Sequence, residues 1–116
     1  MYRYGGFFMS QSRENRHEEM DELFRAFLTL EDMEDCYTFF GDIFTVQELE
    51  SFSRRLHVAK LLLNGATYGQ IQEQLPVSSA TITRINTELQ YGSGGYRLIV
   101  ERLAKQQAQD EAGEEE

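Results

Sequence analysis

Apolar residues recur at intervals of three and four positions along most of this 116-residue chain. That spacing places them on one face of a helix and leaves the polar residues on the other face. No segment shows the alternation of apolar and polar residues that is typical of a strand. The pattern predicts an all-α fold of six helices, which cover residues 14–30, 32–44, 46–63, 68–75, 79–89 and 96–109.

The ends of the third helix are marked by local signals. Thr45 and Glu48 have the spacing of a capping box, in which the threonine hydroxyl and the glutamate carboxylate each accept a backbone N–H of the other residue. Asn64 and Gly65 are typical of a helix end. Glycine and serine residues at 92–95 then separate the fifth helix from the sixth.

Residues 68–89 predict two short helices joined by a tight turn, the pattern of a helix-turn-helix motif. Thr67 can cap the first helix with Gln70 at the matching position, and Pro76 ends it because a proline disfavours helical geometry in the residue before it. Ser78 or Ser79 can cap the second helix. The apolar positions of the motif are Ile71, Leu75, Val77, Ile82, Ile85 and Leu89.

If the isoleucine stripe of the second helix is buried, its opposite face presents small residues to solvent, with Arg84 one turn on. Hydroxyl side chains near a helix N-terminus, followed by an arginine, suit insertion into a DNA major groove. We therefore predict a motif that binds double-stranded DNA. The candidate DNA-contacting residues are Gln70, Gln72, Ser78, Ser79, Ala80, Thr81, Thr83 and Arg84.

The net charge of −9 argues against nucleic-acid binding until it is divided along the chain. Residues 1–44 carry −6 and residues 106–116 carry −5, whereas residues 45–105 carry +2. The predicted motif therefore lies in the mildly basic part. Because so small a positive charge neutralises few phosphates, we expect modest affinity and a need for two copies.

Aromatic residues are concentrated in the first half of the chain, on helices too short to bury all of them. Each ring contributes about 1.5–3 kcal/mol when it is buried, so a homodimer that covers them is favoured, and two-fold symmetry also suits two DNA half-sites. A compact monomeric bundle with a large core is the alternative. The aromatic residues concerned are Phe24, Phe27, Tyr37, Phe39, Phe40, Phe44 and Phe52.

Other features narrow the class of protein. The single cysteine, Cys36, excludes an intramolecular disulfide and fits a reducing cytoplasm. No catalytic constellation, metal site, cofactor motif, signal peptide or membrane span is evident, so we expect a protein without enzymatic activity or cofactor. Residues 1–12 are expected to be disordered, with Met9 an alternative translation start, and residues 110–116 form an acidic tail.

Four segments carry a resemblance to a known family: residues 35–40, 45–49, 54–59 and 80–84. Together with the helices around these segments, residues 22–105 resemble the Trp repressor superfamily. Within that superfamily they are most similar to the YerC/YecD group of Trp-repressor-like proteins. The resemblance implies an intertwined homodimer with a helix-turn-helix at each end. It implies transcriptional regulation as the function. The counterparts of Ser79, Ala80 and Thr83 face DNA in the repressor, and Ala80 and Thr83 are retained here.

The resemblance also implies an effector pocket. The counterparts of Thr45, Arg55 and Arg84 hold the tryptophan corepressor in the repressor, and all three are present here. Ile85 stands in place of a glycine, however, and Glu88 in place of a serine. The larger side chain should intrude on the indole ring, so we expect that tryptophan does not bind and that any other effector is unknown. In this interpretation the candidate pocket comprises Thr45, Arg55, Arg84 and Glu88.

Some interpretations stay open at this stage. Arg84 could contact phosphate or a ligand, or pair with Glu88 one turn away, and one of Arg54 and Arg55 could be a solvated charge. Pro76 occupies a turn position where a glycine with positive φ is usual, so the turn must be built differently. The motif could also serve a protein-interaction module with little DNA affinity.

Overall fold

Six α-helices form the described part of the chain, residues 13–115 of a computed structural model. They are α1 (Arg13–Phe27), α2 (Met33–Ile43), α3 (Val46–Leu63), α4 (Tyr68–Gln74), α5 (Ser79–Tyr91) and α6 (Gly95–Glu115). No strand occurs within residues 13–115. The all-α prediction of six helices is confirmed. The expected disorder of residues 1–12, and the alternative start at Met9, lie outside the described residues.

The chain divides into two compact units, the first ending at Phe44 and the second beginning at Thr45. In the first unit, the Asp32 side chain caps α2 by accepting the Asp35 N–H at 2.8 Å. The ring of Phe27 on α1 meets that of Phe40 on α2 edge to face, with centroids 5.4 Å apart and planes at 89°. Aromatic contacts of this kind hold the two helices of the first unit together.

Both predicted ends of α3 are confirmed. Thr45 Oγ1 accepts the Glu48 N–H at 3.0 Å, and Glu48 Oε1 accepts the Thr45 N–H at 2.8 Å, which completes the capping box. At the other end Gly65 has φ +89°, a conformation that side chains with a Cβ rarely adopt. The Gly65 N–H donates to the Leu62 carbonyl and the Ala66 N–H to the Leu61 carbonyl, the pair of bonds of a Schellman motif.

The core of the second unit lies where α3 packs against α5 and α6. Its fully buried side chains are aliphatic and come from α3, α4 and α5: Val58, Ala59, Ile71, Ile82 and Ile85. Ile82 and Ile85 are three residues apart on α5 and share one face of it. Their burial fixes the rotation of α5 about its axis and determines which residues it presents to solvent.

The last helix is longer than expected. The sequence predicts that it ends near Gln109, but α6 continues to Glu115, and the acidic segment is therefore helical. Alanine, glutamine and glutamate are good helix formers, and no proline follows Gln109 to stop the helix. All side chains from Glu101 to Glu114 are exposed. Within residues 13–115, no helix has the length and apolar character needed to cross a bilayer.

Candidate nucleic-acid interface

The turn between α4 and α5 is built on a proline. Leu75 caps α4 in an extended conformation, with φ −133° and ψ 142°. The Val77 N–H donates to the Leu75 carbonyl at 2.9 Å, which closes a three-residue γ-turn centred on Pro76. The inverse form of this turn needs a negative φ close to the value that the proline ring imposes. The expectation that the turn is built without a glycine is therefore confirmed.

Gln72 reaches across this turn from α4. Its Nε2 donates to the Val77 carbonyl at 3.2 Å and to the Ser79 hydroxyl oxygen at 3.3 Å. Gln72 was a candidate DNA contact in the sequence analysis, and in the structure its amide group binds the turn and the first residue of α5. The side chain therefore ties the two helices of the motif together.

Ser78 caps α5, which resolves the choice between Ser78 and Ser79. Its hydroxyl oxygen accepts the Thr81 N–H at 3.2 Å, and its hydroxyl group donates to Thr81 Oγ1 at 3.1 Å. Thr81, one of the candidate DNA contacts, is half-buried. The first turn of α5 brings the Thr81 side chain back onto the cap, so its hydroxyl oxygen already has a partner.

The remaining candidate residues divide into two groups. Gln70 completes the second capping box, because its Oε1 accepts the Thr67 N–H at 2.9 Å, as the sequence predicts. Ala80, Thr83 and Arg84 are exposed on the face of α5 opposite the buried isoleucines. These three side chains form an uninterrupted surface that a DNA groove could meet. The assignment of individual DNA contacts stays a prediction.

A polar cluster lies behind this surface, where α6 meets α5. The Tyr96 hydroxyl forms a hydrogen bond with the Glu88 side chain, and the charges of Arg55 and Arg84 act on the same hydroxyl. Partial burial raises the pKa of Tyr96 above 10.0, and the Glu88 charge raises it further, while the two guanidinium groups oppose the shift. Three of the four candidate pocket residues, Arg55, Arg84 and Glu88, therefore lie close enough to act electrostatically on the Tyr96 hydroxyl.

Thr45, the fourth candidate, lies apart from this cluster. It caps α3 ten residues before Arg55, about 15 Å along the helix. The guanidinium carbon of Arg55 also lies 5.6 Å from the centroid of the Phe52 ring. Tyr96 was not among the residues chosen from the sequence. In the sequence, the only local hint of this contact is the run of glycines before Tyr96. These glycines allow the chain to turn back into α6, so that Tyr96 packs against the core.

Large apolar side chains remain exposed on both units. On the first unit they include Phe24, whose exposed fraction is 53%, and on the second Phe52, at 42%. Three more follow one another along α6 at the spacing of one helical face: Leu98, Ile99 and Leu103. A groove of about 260 Å³ lies between α3 and α6. Its lining combines apolar and polar side chains: Ser53, Leu56, His57, Lys60, Asn64, Val100, Leu103, Ala104 and Gln107.

Known proteins resemble this chain over most of its length. The model of the Trp repressor protein family matches residues 18–104. The uncharacterised protein YerC of Bacillus subtilis (strain 168) is 41% identical over 88 residues, which cover 76% of this chain and 85% of YerC. The relationship that the sequence motifs suggested is confirmed.

Solved structures agree with these matches. A Trp repressor candidate from Staphylococcus aureus superposes with a TM-score of 0.74 and 45% identity, covering 81% of this chain and 94% of the other. A TrpR-like protein from Eubacterium eligens ATCC 27750 gives a TM-score of 0.72 and 42% identity, covering 75% of this chain and 90% of the other.

Proposed function

Because the chain belongs to the Trp repressor protein family, we propose that it is a sequence-specific DNA-binding transcription regulator that acts as a repressor. The structural observation that carries the proposal is the rotation of α5. Burial of Ile82 and Ile85 turns Ala80, Thr83 and Arg84 outwards, at the N-terminal half of the second helix of the motif. That half of the helix is the part that reads base edges in helix-turn-helix proteins.

We also propose that the regulator is a homodimer in the cytoplasm. The exposed rings of the first unit, and the exposed apolar side chains of α6, would be costly to leave in water. A second copy covers them without requiring another partner. It also supplies a second recognition helix, which compensates for the few basic residues on each motif.

A protein-interaction module is the competing function. Residues 67–91 carry one arginine and two glutamates, so the motif itself is not basic. A module of this kind would use the exposed face of α5 for a protein partner. The two functions differ in how binding to DNA responds to salt.

The test uses the full chain with fragmented genomic DNA from its host. Fragments that the protein retains are sequenced, and one of them is titrated at about 50 and 200 mM salt beside a shuffled fragment. A regulator binds its fragment more tightly than the shuffled one and loses affinity steeply at the higher salt. Equal and weak binding to both fragments would support the protein-interaction module instead.

A further inference from the structure

The hydrogen bonds of Gln72 define which way its amide group faces. Its side chain contacts the Val77 carbonyl oxygen, which can only accept a hydrogen bond. The group that faces this oxygen must therefore be the NH₂ group. The second contact of the same nitrogen, with Ser79 Oγ, is then also a donation from Gln72.

This donation limits what Ser79 can offer to a ligand. A serine hydroxyl has one hydrogen to donate and two lone pairs that accept, so beside Gln72 it keeps its hydrogen and only one lone pair. The Gln72 amide uses a lone pair of Ser79, and no hydrogen bond donated by the Ser79 hydroxyl is found within residues 13–115. Ser79 is exposed at the first position of α5, so its O–H is available to a group outside the protein.

We propose that Gln72 is a positioning residue that orients the Ser79 hydroxyl as a hydrogen-bond donor towards DNA. The proposal rests on the proposed function and extends it, because it specifies the chemistry that Ser79 recognises. The recognised group is an acceptor, either a phosphate oxygen or an acceptor on a base edge in the major groove, such as N7 or O6 of guanine or O4 of thymine.

Gln72→Glu is the most direct test, because it keeps the size of the side chain and removes its donors. A carboxylate at position 72 would accept the Ser79 O–H, and Ser79 would then present lone pairs to DNA. Gln74→Glu is the matched control, since Gln74 is exposed on the same helix and the change in charge is the same. Gln72→Met removes the hydrogen bond without adding charge and leaves the hydroxyl free to rotate.

Each variant is used to select sequences from a pool of randomised DNA, and its affinity for the preferred wild-type site is measured. We expect Gln72→Glu to bind that site about two- to tenfold more weakly than Gln74→Glu does. If Ser79 contacts a base, the selected base changes from one that presents an acceptor to one that presents a donor, cytosine N4 or adenine N6. If it contacts a phosphate, affinity falls equally for all sequences.

Ser79→Ala completes the design as the second half of a double-mutant cycle. It should weaken binding about two- to tenfold in the wild-type chain and cause no further weakening beside Gln72→Glu. The proposal is overturned if Gln72→Glu matches Gln74→Glu in affinity and selected sequence. It is also overturned if the effects of Ser79→Ala and Gln72→Glu simply add.

An NMR measurement on the free protein tests the contact itself. The side-chain amide protons of Gln72 should be shifted and slowly exchanging compared with those of Gln74, and Ser79→Ala should move the Gln72 signals towards those of Gln74. Identical signals for the two glutamines would refute the contact. If NMR shows the contact but the wild-type chain binds no DNA, the proposed function is wrong. The contact between Gln72 and Ser79 is then real but does not position a hydroxyl for DNA.

Discussion

The hydroxyl of Tyr96 on α6 is hydrogen-bonded to the carboxylate of Glu88 on α5. Tyr96 also packs against the buried core, so its ring is held at the base of the candidate recognition helix. The positive charges of Arg55 on α3 and Arg84 on α5 also act on this hydroxyl and lower its pKa. Three of the four candidate pocket residues, Arg55, Arg84 and Glu88, therefore interact electrostatically with a side chain of the protein itself.

The titration of Tyr96 should reveal this contact. Burial and the Glu88 charge raise its pKa above 10.0, so the folded state favours the neutral phenol. Its contribution to stability is fully present below pH 10.0 and is lost as the pH rises through the higher pKa of the folded protein. Ultraviolet difference titration of the wild-type chain against Tyr96→Phe isolates this one tyrosine.

Glu88→Gln is the control for the cause of that shift. It removes the negative charge, so the pKa of Tyr96 should fall compared with the wild-type chain while burial keeps part of the elevation. Thermal unfolding followed across alkaline pH should show a steeper loss of stability for the wild-type chain than for Tyr96→Phe. Identical pH profiles for these two proteins would contradict the assignment.

L-tryptophan should neither bind measurably nor change the affinity for DNA. Ile85 is part of the core, Glu88 is bonded to Tyr96, and Arg84 acts on the same hydroxyl. A corepressor must favour the DNA-binding state through its own differential affinity, and a ligand excluded by volume has none. Calorimetry at millimolar tryptophan measures this directly. A saturable heat signal with one site per subunit would show that the site is open to the indole ring.

Helix ends that depend on neighbouring residues could be predicted from the sequence. Thr45 with Glu48, and Thr67 with Gln70, are three residues apart, and their caps form within one turn of helix whatever the rest of the chain does. The stop at Gly65 is equally local. The isoleucine stripe of α5 follows from helical periodicity alone. Its burial, and the exposed face opposite it, could therefore be predicted.

Side-chain partners across elements could not be predicted in the same way. The sequence suggested Gln72 as a DNA contact, because nothing in its neighbours shows that the γ-turn at Pro76 brings Ser79 within its reach. Tyr96 and Glu88 are on different helices and meet only because both helices pack on α3. The continuation of α6 beyond Gln109 could be predicted only from the absence of a stop signal. Such an absence locates a helix end less well than a capping residue does.

We expect sedimentation to show a homodimer at micromolar concentration. The interface should include Phe24, Phe27, Phe39, Phe40, Phe44 and Phe52, together with α6. Phe24→Asp should shift the protein towards monomer, because a charge replaces a ring whose burial contributes about 1.5–3 kcal/mol. Phe24→Leu is the matched control and should remain dimeric. Since Phe24 is half-exposed within the chain, neither change should unfold it, and a folded wild-type monomer would refute the dimer.

Substitutions on the exposed face of α5 should weaken specific DNA binding without changing the fold. Ala80→Glu places a carboxylate where phosphates and base acceptors approach, and Thr83→Ala removes a hydroxyl from the same face. Loss of one good base contact costs about 1–3 kcal/mol, or roughly five- to 150-fold in affinity. Ala108→Glu, which lies on α6 beyond its exposed apolar side chains, and Thr38→Ala on α2 repeat the same chemical changes at exposed positions outside the motif. Sedimentation checks that both controls have the same oligomeric state as the wild-type chain. Circular dichroism measures whether each variant keeps its helices, and fluorescence anisotropy measures its affinity for DNA.

Should Ala80→Glu bind the selected site as tightly as Ala108→Glu, α5 would not be the recognition helix. A negative charge placed in a groove lined with phosphates must weaken binding.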